Sequence, residues 1–532
     1  MRIAVIGAGP AGLTSAKQAL EAGHDVVVFE KHDDVGGIWN PASLGAYEGV
    51  RMQTSRSGFP FSDFAPRQGG DFLTVPEVHA YLRGYAERFG VWPVIRFGHE
   101  VTRVAGGEGD WHVTAECRGV PVTARFDAVM VANGELWRPR VPPAAGEAPH
   151  GVRVLTAKDY RRPDAFRGLR VLVAGGGVSG ADIASELVGE AAAVDWAVRR
   201  KALFLPRDCG GLANDMLFSY IGRVALEEMP FDDYLAWLSR LMPEYMAMYR
   251  DTGLLPETGF HGAVHVNEKI VPHVHRGEVG ARAAFDRFAA DGRVVFADGT
   301  WGRYDAVILC LGYQMPDYGF VEGFDRRELY EHFFWYRDPS LVVVNTPVDT
   351  DAFGTACPYF EAIAGWALAV LSGKAELPGR EEMAAWCERH MGALHERRYY
   401  DCWLETVRIG LDSGALPDPA TQFADYWRLV SGVVDPANLR PGAQADRPAP
   451  CDELFDLPGL KLRVLAWLPR PALDALLASG QIGAAEHAGA LEVPPARRVA
   501  PWLPYRQRLQ GDPPPPAAGT ASLRARPGPD AG

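Results

Sequence analysis

The chain has 532 residues, 47% hydrophobic and 23% charged, with a formal net charge of -13. It is too long for one compact core, so two or three ordinary globular domains are expected. The acidic balance argues against a nucleic-acid backbone binder, while leaving room for a local basic patch that holds one phosphate.

Residues 2–30 read as strand, glycine turn, helix and strand, the second strand running over 26–29 and closing at Glu30. No long apolar stretch precedes the first strand, so a cytoplasmic protein is expected. Residues 71–90 carry apolar groups at helical spacing after a turn at Pro76. "ARFDAVMVANG" is a strand that stops at Asn133 and Gly134, and the Pro-rich "RPRVPPAAGEAPHG" follows as a connection. A second strand-turn-helix-strand unit begins near Leu169 and ends in "VDWAVRR". Residues 201–260 then hold "PRDCGGLAND" and Met- and Tyr-rich helical segments, a cap over a substrate pocket or simply extra packing. Strand character returns in "GRVVFADGTWGRYDAVILCLGY" and "LVVVNTP". The apolar helix beginning near Pro358 contains Glu361 and is too short to span a bilayer, so no membrane partner is expected. Residues 452–490 have strand and helix potential, and the tail "GDPPPPAAGTASLRARPGPDAG" is expected to be disordered.

The two glycine turns carry the chemistry. Gly7, Gly9 and Gly12 stand in GxGxxG register after a strand, with Pro10 and Ala11 opening the helix. The glycines permit a tight turn, close approach of a pyrophosphate and close helix–strand packing, and the helix start supplies amide donors. Glu30 is placed to accept from ribose hydroxyls, with Lys31 beside it. Gly175, Gly177 and Gly180, with Ser179 between the last two, repeat the register. There the following strand ends in Arg199, Arg200 and Lys201 instead of an acid. A guanidinium holds a 2′-phosphate bidentately where a carboxylate would repel it. The first unit is therefore read as the FAD site and the second as the NADPH site, with Arg199 the leading phosphate contact. A solvated strand end and a preference for NADH is the alternative.

Flavoproteins with two dinucleotide sites divide by where the electrons leave. A dithiol reductase needs a cysteine pair beside the flavin, and the seven cysteines here form neither a CxxC pair nor a ligand-spaced cluster. Dioxygen remains as the acceptor: it adds to reduced flavin at C4a, and the peroxide formed is electrophilic. His261, His265, His273 and His275 cluster in "HGAVHVNEKIVPHVH", but without a nearby Cys or an HExxH pattern they are read as separate histidines and no metal is expected.

These stretches together resemble the flavin-containing monooxygenases, the class B flavoproteins, over roughly residues 1–440. "GAGPAG" with "FEKHDDVGGIWN" is similar to the family's FAD fingerprint and GGxW, and "VRMQTSRSGFPFSDF" to the segment lining the flavin edge. "VMVANGELWRPRVP", "DYRRPDAFRGLRVLVAGGGVSGADIASEL", "VRRKALFLPR" and "YDAVILCLGY" resemble the interdomain linker, the NADPH run and the late TGY motif. Aligned on Tyr160, the family signature FxGxxxHxxx(Y/F) meets His150, Val152 and Thr156, so only its last position is kept. Tyr160 stands where the Baeyer–Villiger subgroup prefers Trp. Val178 replaces the asparagine of GNSG, Leu311 the threonine of the late motif, and Gln53 an asparagine that positions NADP⁺ and the oxygenated flavin.

The resemblance implies an α/β fold with two Rossmann-like dinucleotide domains, the NADPH domain inserted within the FAD domain. The expected division is FAD domain 1–165, NADPH domain 166–300 with a helical insertion at about 205–260, FAD domain again at 301–440, an extension at 441–510 and a disordered tail at 511–532. It implies a catalytic role for Gln53 and cofactor contacts from Thr54, Ser55, Gly37, Ile38 and Trp39, although Trp39 also suits plain packing. Asn133 suits a hydrogen bond at the domain boundary. Asp351, Gly354 and Thr355 precede a helix whose first amides face the flavin's C2 carbonyl in this picture. Glu361 is read as a cap or interdomain salt bridge. The expected activity is NADPH- and O₂-dependent oxygenation of nitrogen or sulfur in a small molecule through the C4a-peroxyflavin. Baeyer–Villiger oxidation of a ketone or aldehyde, an uncoupled NADPH oxidase and a non-catalytic nucleotide binder are the alternatives. A homodimer is compatible with the sequence.

Overall fold

The computed structural model describes residues 1–144, 151–256, 264–345, 350–353, 357–391, 398–440, 442–443, 447–499 and 501. Short, almost wholly apolar strands such as "IAVI", "VVVF" and "AVMV" have no polar face to give to water, so they pair in parallel beneath helices. The first sheet runs in the order Leu329–Tyr330, Phe334–Trp335, Leu341–Val343, Ala128–Val131, Arg2–Ile6, Asp25–Glu30, Ile95–Phe97. Its last five strands pair in parallel. Helix Pro10–Glu21 starts on a proline, whose fixed φ suits the first helical position, and stops at Gly23 with φ +79°. It packs on one face of that sheet together with Val75–Arg88 and Cys357–Leu371. Val75–Arg88 begins one residue before Pro76, because Thr74 is tied to Glu77 at 2.7 and 2.8 Å and Pro76 falls inside the first turn.

The second sheet is parallel throughout, in the order Val279–Arg282, Ala193–Ala197, Arg170–Ala174, Ala306–Leu309, Arg153–Thr156. Two expected boundaries therefore move. Arg153–Thr156 lies before residue 166 and Ala306–Leu309 after residue 300, yet both belong to the second sheet. Ala306–Leu309 pairs with Arg170–Ala174 on one side and Arg153–Thr156 on the other. The chain crosses between sheets after Val131 and again between Leu309 and Leu329. The glycine fingerprint marks the turn and helix of this unit, not where its sheet begins.

The insertion contains helices Tyr220–Glu228, Phe231–Leu241 and Pro243–Asp251. Tyr220, Ile221 and Val224 share an apolar core with Cys402–Asp412, Phe423–Ser431 and the helices Leu457–Leu465, Arg470–Ala478 and Ala484–Glu492. The expected cut at residue 440 thus passes through one helical body, and the strand potential of 452–490 is not used. The tail 511–532 lies outside the described residues. Among those described, no helix is long and apolar enough to cross a membrane.

Candidate active site

Gly7 has φ +104°, and a Cβ there would stand 2.4 Å from the Ala132 carbonyl oxygen. At Gly12 a Cβ would lie 1.8 Å from the Gly7 oxygen, so only hydrogen fits. Gly9 caps the helix Pro10–Glu21 and faces Gly37, whose Cβ would come 3.2 Å from the Gly9 Cα. Ala11 and Gly12 lie in the first turn, where backbone N–H groups have no acceptor within the helix. Two side-chain-free backbones facing each other at a helix start fit the pyrophosphate of FAD. Glu30 is 5% exposed; its Oε2 accepts from the Ala8 amide at 2.7 Å and its Oε1 from the His32 amide at 2.9 Å. The His32 ring Nδ1 also lies 3.0 Å from Oε1, so the carboxylate shapes the turn and it is Oε2 that keeps a lone pair for a ribose hydroxyl. Beside it, the Lys31 and Lys158 ammonium groups stand 4.7 and 4.9 Å from the centre of the Trp137 ring. Burial, and then the neighbouring Lys31 charge, hold Lys158 below the ordinary lysine range.

The second turn repeats this construction. A Cβ on Gly175 (φ +135°) would meet the Cys310 oxygen at 2.1 Å, and one on Gly180 the Gly175 oxygen at 2.0 Å. Gly177 caps Val178–Glu186 with open space before it, the arrangement a phosphate needs. Ser179 sits in the first turn of this helix. Arg199 and Arg200 are exposed at the end of the neighbouring strand, with the Arg200 backbone against Gly176. These residues fit a phosphorylated nicotinamide dinucleotide.

One stretch touches the first turn and the helix that follows the second. Residues 37–39 form a helical turn packed beside Gly9, with Trp39 against the first core. Eight residues on, the Tyr47 hydroxyl donates to Asp182 Oδ2 of the second-turn helix at 3.1 Å. Asn267 donates to the other oxygen of Asp182. Tyr160, buried, donates to Glu186 at 2.8 Å and meets the Tyr47 ring edge-on at 5.5 Å. Burial raises the Asp182 and Glu186 carboxyls, with Arg207 opposing the rise at Asp182. The stretch then passes Gln53, which is exposed, between buried Met52 and Thr54.

Other expected residues have different surroundings. The Ser55 hydroxyl donates to buried Asp215 at 2.9 Å, so it fastens this stretch to the insertion. Asn133 bonds to Asn345 and to the Asp317 carbonyl where the chain leaves the first sheet. Glu361 accepts from the Ser62 amide at 2.9 Å and hydroxyl at 2.8 Å, a cap on the loop that follows Ser55. Asp351 lies in the strand Thr350–Phe353, paired with Arg398–Asp401. Gly354, Thr355 and His261 lie outside the described residues. His273 bonds to Glu278 at 2.6 Å, His275 is 3.8 Å from Asp251, and His265 packs on Phe204. Reading the sequence missed Tyr47, Asp182, Arg207, Asn214 and Asp215. The available signal was an acid inside the apolar helix "GADIASEL" and polar residues in the glycine-rich "PRDCGGLAND".

Residues 1–409 match the family described as flavin-binding monooxygenase-like. The chain belongs to that family. It is accordingly an FAD-dependent NADPH monooxygenase. It is 30% identical over 470 residues to flavin-containing monooxygenase 5 of Oryctolagus cuniculus, covering 83% of each chain. It is 31% identical over 333 residues to dimethylaniline monooxygenase [N-oxide-forming] 4 of Rattus norvegicus, covering 59% of this chain and 58% of that one. In fold it is similar to S-allyl-L-cysteine S-oxygenase from Allium sativum, with a TM-score of 0.57 and 23% identity over 78% of this chain and 88% of that one.

Proposed function

We propose that this flavoprotein monooxygenase oxygenates a nitrogen or sulfur atom of a small molecule, with NADPH as the electron source. One oxygen atom of O₂ enters the substrate and the other leaves as water, while NADPH is oxidised to NADP⁺. The first turn, with Glu30 beside it, would hold FAD, which when bound would supply hydride acceptance and oxygen activation. The residues of the chain bind, orient and exclude water. Gly175, Gly177 and Gly180 would hold the pyrophosphate of NADPH, and Arg199 with Arg200 its 2′-phosphate.

The observation that carries the reading is the stretch from Gly37 to Ser55, which packs on the first turn at Gly9, bonds through Tyr47 to Asp182 in the helix after the second turn, and carries exposed Gln53 six residues further on. A side-chain amide offers both a donor and an acceptor without a charge, which suits holding a neutral nicotinamide amide and a polar oxygen species together. Thiol relay is disfavoured because burial pushes the Cys310 and Cys357 thiols up, away from the reactive thiolate. Nitrogen or sulfur is preferred to a ketone for two reasons. Tyr160, in place of the Trp favoured by ketone-oxidising members, donates to Glu186. The names of the rat and garlic relatives also refer to N-oxide formation and S-oxygenation.

The test is product analysis with NADPH in air against a tertiary amine, a thioether and a cyclic ketone, with hydrogen peroxide assayed in parallel. N-oxide or sulfoxide formed in proportion to NADPH consumed supports the reading. Lactone alone, or peroxide matching NADPH consumption with every substrate, overturns it.

A further inference from the structure

We propose that Arg207, in the connection entering the helical insertion, is a positioning residue that sets the backbone, and hence the side-chain direction, of Gln53. Its consequence for oxygenation rests on the function proposed above; its structural part does not.

Arg207 follows the strand Leu203–Leu205, and its side chain is only 11% exposed. Its Nε donates to the Met52 carbonyl at 2.9 Å and its Nη2 to the Arg51 carbonyl at 3.2 Å, while Nη1 pairs with Glu268 at 2.6 Å. The chain then makes a tight excursion closed by the Asp208–Ala213 bridge, and the Asn214 amide returns to the Arg207 carbonyl at 3.0 Å. That return puts the Asn214 side chain beside Arg207, where it donates to the Gln53 carbonyl at 3.2 Å. The next residue, Asp215, accepts from the amide and hydroxyl of Ser55 at 3.1 and 2.9 Å. The carbonyls of residues 51, 52 and 53 are thus held in succession by one short segment of the insertion.

The opposite edge is held by the first domain, where the Met52 amide donates to Leu73 at 2.9 Å and the Arg56 amide to Asp71 at 2.7 Å. Clamped on both edges, the segment alternates exposed Arg51, buried Met52, exposed Gln53 and buried Thr54. The Gln53 Cα–Cβ bond is thereby fixed on the exposed side of the segment. A planar guanidinium forks across two consecutive carbonyls and an acid at once, whereas an ammonium is a point charge without that geometry. Glu268 adjoins Asn267, which bonds to Asp182 of the second-turn helix, so the clamp reaches from Gln53 to the NADPH-side helix.

The test compares Arg207→Lys and Asn214→Ala with the parent flavoprotein. It follows amide hydrogen exchange in peptides covering 51–58 and 75–88, and the fraction of NADPH electrons recovered as peroxide at saturating substrate. Arg207→Lys is expected to accelerate exchange in 51–58 by roughly tenfold, leave 75–88 unchanged, and raise the peroxide fraction several-fold with FAD content retained. Asn214→Ala, which removes the amide's bonds to the Gln53 and Arg207 carbonyls and keeps the charge, should move both readouts in the same direction by less. Unchanged exchange in 51–58, equal acceleration in both peptides, or an unchanged peroxide fraction in Asn214→Ala overturns the proposal. If Arg207→Lys fails to fold, Asn214→Ala decides alone. A parent enzyme that oxygenates no nucleophile would overturn the proposed function, while the exchange comparison would still decide whether Arg207 holds this segment.

Discussion

The Tyr47 hydroxyl, from the first domain, donates to the carboxylate of Asp182 in the second domain across 3.1 Å. Asp182 is half-buried, and burial raises its carboxyl. Removing the phenol donor in Tyr47→Phe raises it further and weakens the joint between the domains. We expect a loss of about 1–2 kcal/mol in stability, the size of one hydrogen bond to a buried charged group, and a several-fold rise in KM for NADPH. The FAD-to-protein ratio should not change, because the first turn is not touched. The check is flavin absorbance alongside NADPH titration; a variant that lost FAD and kept its NADPH affinity would contradict the assignment.

Gly9→Asp places a carboxylate between the Gly9 and Gly37 backbones, in the cleft assigned to the FAD pyrophosphate. A Cβ there lies 3.6 Å from the Gly37 Cα, so the chain tolerates the carbon and the charge is what acts. The variant is expected to fold and to purify colourless. Stoichiometric flavin absorbance in it would remove the first turn from the FAD role.

What was legible in the sequence follows from covalent geometry. Gly7, Gly12, Gly175 and Gly180 are demanded by contacts under 2.5 Å that no side chain survives, so the two turns announce themselves. Glu361 was legible as a cap because an acid in an apolar helix needs a partner, and Ser62 supplies one. Ser55 was legible as important but not in its direction, since only the tertiary fold brings Asp215 against it from 160 residues away. The domain boundaries were missed for a similar reason. "RVLT" is half-buried and short, and nothing in it tells which of two parallel sheets will pair with it.

Arg199→Ala tests the nucleotide preference. Arg199 is exposed just past the strand end, where a 2′-phosphate beside it would gain a charge-assisted pair. KM for NADPH is expected to rise about tenfold or more and that for NADH by less than twofold, the difference belonging to the phosphate alone. Steady-state kinetics with both nucleotides is the check, and equal changes would take Arg199 out of the phosphate site.

Glu331 follows the edge strand Leu329–Tyr330 with φ +52°, and its carboxylate pairs with Arg408 at 3.0 Å. Arg408 also meets Glu405 at 2.8 Å and Asp412 at 2.9 Å, so one cation serves three acids. Burial outweighs the Arg408 charge and pushes the Glu331 carboxyl from 4.5 up to about 7. The folded state therefore holds a proton that the unfolded chain releases at lower pH. This stabilisation is complete below about 4.5, declines as pH rises, and is gone above about 7. Glu331→Gln mimics the protonated form at every pH. Relative to the parent, the variant should gain stability between pH 5 and pH 8 by an amount on the order of 1–3 kcal/mol. Thermal midpoints of both proteins across that range are the measurement. A constant offset between the two curves would mean that Glu331 titrates where an ordinary carboxylate does, and that Arg408 holds it ionised throughout.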